Sequence, residues 1–108
     1  MNTNFKKLVH LDCTFRDGGY YNNWHFDDKL VSSYFKSISK TKVKIVELGF
    51  RFLNSKGFLG PFAFSNEDFI KKLKVPTQLN IAIMLNAADL VNLPEKKLKK
   101  YFLNKKKK

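Results

Sequence analysis

Acidic residues are scarce in this chain. Nine stand against 21 lysines and arginines, for a formal net charge of +12 over 108 residues. Cysteine is almost absent: Cys13 is the one example, so no internal disulfide can form. That usage fits a reducing cytoplasm. There is no Gly/Ser linker and no repeat with a period of about 20 to 50 residues, which excludes solenoids and propellers. No apolar run approaches the roughly 18 residues of a membrane span. The opening residues, MNTNFKKLVHLDC, lack the apolar core and small-residue cleavage site of a signal peptide. The location expected is therefore cytoplasmic, with no membrane partner. Neither a Walker pattern nor G-x-G-x-x-G occurs, so no phosphate-cradling loop is read.

Hydrophobic residues make up 44% of the chain, with eleven Phe, four Tyr and one Trp. That is enough to build a core, and it excludes wholesale disorder. The length suits one modest domain. The positive charge is uneven. Residues 95–108 hold eight of the basic residues and one acid, which leaves residues 1–94 at a net +5. An anionic partner is thus suggested mainly by the tail. The abundance of Lys, Asn, Phe and Ile is also what an AT-rich genome gives.

The pattern of apolar residues alternates between two types of element. Lys7–Thr14 (KLVHLDCT) reads as a buried strand, with Leu8, His10, Asp12 and Thr14 on one face. RDGGYYNNW then reads as a loop, its Gly18-Gly19 pair making the turn after the strand. Asp27–Lys40 reads as a helix with Leu30, Val31, Tyr34, Phe35 and Ile38 on its apolar face. Val43–Phe50 is a second strand, and an aromatic-rich loop follows it. Ser65 opens a short helix through a Ser-x-x-Asp capping box. Gln78–Asn86 is a third strand, and the helix after it is interrupted or restarted at Pro94. The order β-α-β-α-β-α implies parallel strands joined by crossover helices. Three such units are too few to close a sheet, so the expectation is the start of something larger.

Sites in parallel α/β folds lie at the C-terminal ends of strands. Asp12, Thr14, Arg16 and Asp17 close the first strand, Glu47 lies near the end of the second, and Asn86 and Asp89 follow the third. Carboxylate oxygens suit a hard divalent cation, and a guanidinium can hold a carboxylate through two parallel hydrogen bonds. Together they would bind a 2-oxo acid and stabilise its enolate, since positive charge sits where negative charge develops. The competing reading is an ordinary ion-pair network at the end of the sheet. Spacing alone weighs the two about equally. His10 is expected inside the barrel, Cys13 as a small buried hydrophobe. Trp24 and the phenylalanines of residues 58–64 fit loop packing against helices better than a lid.

LDCTFRDGGYYNNW resembles the first-strand motif of the metal-dependent aldolase and acyl-condensing barrel superfamily. That group includes hydroxymethylglutaryl-CoA lyase, isopropylmalate and homocitrate synthases and 4-hydroxy-2-oxovalerate aldolase. Its Asp-Arg-Glu set corresponds here to Asp17, Arg16 and Glu47, with Glu47 thirty residues after Asp17. RDGGYYNNWHFDD, VELGFRF and FLGPFAF look most like the branch of aldolase catalytic domain proteins akin to 4-hydroxy-2-oxovalerate aldolase. The resemblance covers roughly residues 8–92. It implies the first three βα units of a (β/α)8 TIM barrel, residues 1–94. Residues 95–108 would be a lysine-rich third helix or tail, cut short. It implies an aldolase or carbon–carbon lyase acting on 2-oxo acids through a pyruvate-type enolate. Asp17 would bind Mg²⁺ or Mn²⁺, Arg16 and Thr14 would contact substrate, and Glu47 would hold Arg16. The two histidines, His10 and His25, do not form the family's late His-x-His pair, so the metal site is incomplete in this chain. Where the aldolases of this family place His, this chain has Tyr20, which leaves the acid/base open between Tyr20 as catalyst and Tyr20 as packing or substrate contact.

The isolated 108-residue chain is expected to be inactive, as a truncated or frame-slipped copy. A full-length parent would form a homo-oligomer or work with a dehydrogenase. The rival reading is a binding module in which EKKLKKYFLNKKKK meets nucleic acid or an anionic surface. Solvated lysines on a helix explain that segment more simply. Nucleic-acid binding therefore ranks well below the aldolase reading.

Overall fold

A computed structural model describes residues 8–53, 57–91 and 93–101. Among these residues three parallel strands lie in the order β1-β2-β3: β1 (Leu11–Asp12), β2 (Ile45–Phe50) and β3 (Asn80–Met84). Helices of the same residues occupy the connections and the C-terminal side: α1 (Thr14–Asn22), α2 (Asp28–Ile38), α3 (Pro61–Phe64), α4 (Glu67–Lys72), α5 (Ala87–Leu90) and α6 (Glu95–Tyr101). The expected α/β class with parallel strands is the one observed.

β2 is the centre of the sheet. Val46 pairs with Asp12 on one side and Ile81 on the other. Val46 and Leu48 are wholly buried because neighbours cover both edges and the helix side. On that side they meet Phe15, Val31, Phe35 and Phe62 in one cluster. Phe15 is its hub, with ring centroids 4.8 Å from Phe26, 4.4 Å from Tyr34 and 4.8 Å from Phe62. β1 and β3 are edge strands, and Leu8, Val9 and Leu11 stay exposed at the β1 edge. His10 is exposed as well, not enclosed in the interior as expected.

α2 forms where its pattern places it. The Asp27 carboxylate accepts from the backbone N–H groups of Lys29 (3.0 Å) and Leu30 (3.4 Å), so it caps the helix. Val31 and Phe35 are buried one turn apart, but Leu30 is mainly exposed. The buried stripe is therefore narrower than the five-residue face expected.

Three local expectations are corrected. The segment after β1 is a helix, not a loop. Asp12 starts it by accepting from the Thr14 N–H at 3.1 Å and the Thr14 hydroxyl at 3.0 Å, and the Asp17 N–H donates to the Cys13 carbonyl at 3.0 Å. Gly18 and Gly19 therefore lie inside α1 and make no turn. Glycine in a helix costs roughly 1 kcal/mol against alanine, and packing offsets it: a Cβ at Gly19 would lie 1.9 Å from the Trp24 indole. Second, α4 is capped by Asn66 and not by Ser65; Asn66 Oδ1 accepts from the Phe69 N–H at 2.9 Å. Ser65 is buried with φ 34° and donates its hydroxyl to the Phe62 carbonyl at 2.9 Å. Third, the aromatic-rich connection contains α3, opened by Pro61 in the first turn, where proline's fixed φ and missing N–H cost nothing.

The break at Pro94 is present: α5 ends at Leu90 and α6 begins at Glu95. The rest of the lysine-rich tail, residues 102–108, lies outside the described residues. No helix among the described residues is long and apolar enough to cross a membrane.

Candidate functional site

α1 follows directly after β1 and packs against β2. This brings Arg16 to Glu47. Arg16 Nε lies 2.6 Å from Glu47 Oε1, and its Nη2 lies 3.4 Å from Asp17 Oδ1. Glu47 is 8% exposed, in a position where an unpaired carboxylate would be costly. The Nε–H does not point along its short contact with Glu47, so charge holds the pair more than an aligned hydrogen bond does. Desolvation works against the Arg16 charge. The Cys13 contact and the Glu47 and Asp17 carboxylates outweigh it and hold the guanidinium above its ordinary pKa. A guanidinium has five N–H donors, so donors remain on Arg16 for an anionic ligand.

Asp17 sits on the exposed side of this group, and the Cys13 thiol donates to its Oδ2 at 3.5 Å. Among the described residues no group of three or more His, Cys, Asp or Glu side chains is placed to hold a metal ion. Asp17 is one donor, where magnesium or manganese takes about six. These residues do not by themselves make a metal centre.

Asp12 and Thr14 do not join Arg16. Asp12 accepts from the Tyr34 hydroxyl of α2 as well as from Thr14. It therefore belongs to the contact between sheet and α2. Burial pushes the Asp12 carboxyl up, but the bonds from Tyr34 and Thr14 and the nearby His10 pull it further down, to a net pKa below the usual value. Tyr34 shifts the other way, raised by burial and by the Asp12 carboxylate. The short-range signal for this network is legible as Asp12-x-Thr14; the Tyr34 partner, 22 residues away, is not.

Asn86 and Asp89 serve the backbone. Asn86 Oδ1 accepts from the Ala88 N–H at 3.2 Å and caps α5, while Asp89 Oδ2 accepts from the Leu53 N–H at 3.2 Å. The seven-residue convergence expected at the strand ends thus reduces to Arg16, Asp17 and Glu47. Tyr20 lies one turn after Arg16 on α1, exposed, with its ring edge-on to Trp24 at 4.8 Å. Sequence reasoning passed over Trp24 as loop packing. Its indole N–H donates to the Arg16 carbonyl at 3.2 Å, and the nearby glycines were the available signal.

A solved structure described as "the N-terminal domain of a putative aldolase" from Bacteroides vulgatus is similar to this chain, at 36% identity and a TM-score of 0.74. The match covers 87% of this chain and 30% of that one. The chain thus spans less than a third of that protein's length. No family model matches the chain, and no curated protein matches it.

Proposed function

We propose that this chain is the opening portion of an aldolase-type (β/α)8 barrel acting on 2-oxo acids, related to the 4-hydroxy-2-oxovalerate aldolases. The observation that carries the reading is the Arg16–Glu47 pair between α1 and β2, with Asp17 beside it. In this role Glu47 fixes the guanidinium. Arg16 then presents its remaining donors to the carboxylate and the developing enolate oxygen of a pyruvate-like substrate, where they favour the charged form. Asp17 contributes one ligand to a divalent cation whose other ligands come from outside the described residues. Thr14, already bonded to Asp12, is an outer contact at most. The likeness to an aldolase's N-terminal domain supports the reading.

The test uses the protein purified from its own cells, in whatever length they hold it. Pyruvate methyl protons should exchange with D2O when Mn²⁺ is present, and Arg16→Ala should lower that rate at least about a hundredfold, the scale of losing one oxyanion donor. Exchange that is absent, or that Arg16→Ala leaves intact, overturns the reading.

A further inference from the structure

Arg16 and Tyr20 stand four residues apart on α1 and so share a face. Tyr20 is 62% exposed. A lone exposed aromatic needs no explanation, but this ring is supported from beneath. Trp24 meets it at 4.8 Å and 64°, and Phe50 at 6.2 Å and 84°. Phe50 in turn stacks on Phe52 at 4.5 Å and 10°.

The support is built at some cost. Two glycines make room for Trp24: a Cβ at Gly19 would come within 1.9 Å of the indole, and one at Gly60 within 2.2 Å of the Trp24 carbonyl oxygen, while Gly49 clears the Phe62 carbonyl oxygen, 2.3 Å from its Cβ position. Asn23 and Trp24 both take left-handed backbone angles, φ 56° and 60°, which cost non-glycine residues free energy. The buried indole then donates to the carbonyl of Arg16 itself. Filling a core requires volume; it does not require tying that volume to the backbone of Arg16 while leaving Tyr20 open above it.

We propose that Tyr20, propped by Trp24 and Phe50, which Phe52 backs in turn, is an apolar subsite one helical turn from Arg16, which takes the aldehyde half of the substrate and selects aldehydes with an aromatic or bulky apolar body. The inference rests on the aldolase reading above. One turn rises about 5.4 Å, comparable with the few bonds between a 2-oxo acid's carboxylate and its carbinol carbon. A substrate held at Arg16 by its acid end lays its other end over Tyr20. In the addition direction the pyruvate methyl carbon gives up a proton and bonds to the aldehyde carbon, whose oxygen gains one proton. Cleavage is the reverse, and nothing is oxidised or reduced.

The experiment compares phenylacetaldehyde with acetaldehyde as partners of pyruvate, using the protein purified from its own cells. Phenylacetaldehyde should be favoured in kcat/KM at least about tenfold, the scale of a well-filled apolar pocket. Tyr20→Ala should remove the preference by raising KM for phenylacetaldehyde. Tyr20→Phe should keep it, because the ring remains, and Phe52→Leu should reduce it. A preference for acetaldehyde, or one that survives Tyr20→Ala, overturns the proposal. Pyruvate methyl exchange without aldehyde separates the two failures. Exchange without the aldehyde preference removes this subsite alone; no exchange removes the aldolase reading and the subsite with it.

Discussion

At the scale of single residues, two charged contacts dominate, and they behave differently. Arg16 and Glu47 form a pair in which each partner justifies the burial of the other. Arg16→Ala should destabilise the fold by about 2 kcal/mol, less than for a fully buried pair, because a quarter of the Arg16 side chain meets water. The double variant Arg16→Met, Glu47→Leu should recover most of that loss, since it leaves no orphaned charge. Urea midpoints of the four proteins give the coupling, and additive losses would show that the pair is not coupled. Asp12 is sensitive to pH instead. Its folded pKa lies below the usual value, so its contribution is present above pH 3.8 and is lost as pH falls through the depressed value. Tyr34→Phe should cost about 1 kcal/mol at neutral pH and less in acid. Equal costs at both pH values would contradict the assignment.

At the scale of elements, α1 offers a paired test within one helix. A Cβ at Gly18 would meet only the Phe26 ring at 3.6 Å, an ordinary contact. Gly18→Ala should therefore stabilise the protein by about 0.5–1 kcal/mol through helix propensity. Gly19→Ala should destabilise it despite the same gain, because the Trp24 indole stands 1.9 Å from the new methyl group. Melting temperatures that move in opposite directions are the expected result. The same contrast shows what local sequence can convey. Asp-Gly-Gly is a turn signal by composition, yet α1 runs through it and ends only at Asn22, with Asn23 as its left-handed C-cap. The override comes from Trp24 and Phe15, whose burial outweighs the cost of two glycines. Ser65 fails to cap α4 for a related reason. Its hydroxyl is drawn to Phe62 in the buried α3 turn, which leaves Asn66 to cap α4.

At the scale of the whole molecule, β2 is paired on both sides, while among the described residues β1 and β3 each have one unpaired edge. Amide exchange should be slowest at Val46 and Leu48. Unpaired parallel edges invite association, and the net charge of +12 opposes it. Raising salt screens that repulsion, so light scattering should rise with ionic strength. Leu11→Lys, which puts a charge on the exposed β1 edge, should reduce the rise. Scattering independent of salt would mean that the edges do not pair.

The alternation of strands and helices, the helix start at Asp27, the break at Pro94 and the proximity of Arg16 to Asp17 were determined by sequence alone, because each depends on neighbours within a turn or a strand. Tertiary structure decided which of the polar residues at the strand ends belong together. It gave Glu47 to Arg16, turned Asp12 towards Tyr34 of α2, and spent Asn86 and Asp89 on backbone N–H groups. It also placed Trp24 under Tyr20 and Arg16. Those partners lie up to 36 residues apart in the chain, and only the packing of helices on the parallel sheet determines which of them meet.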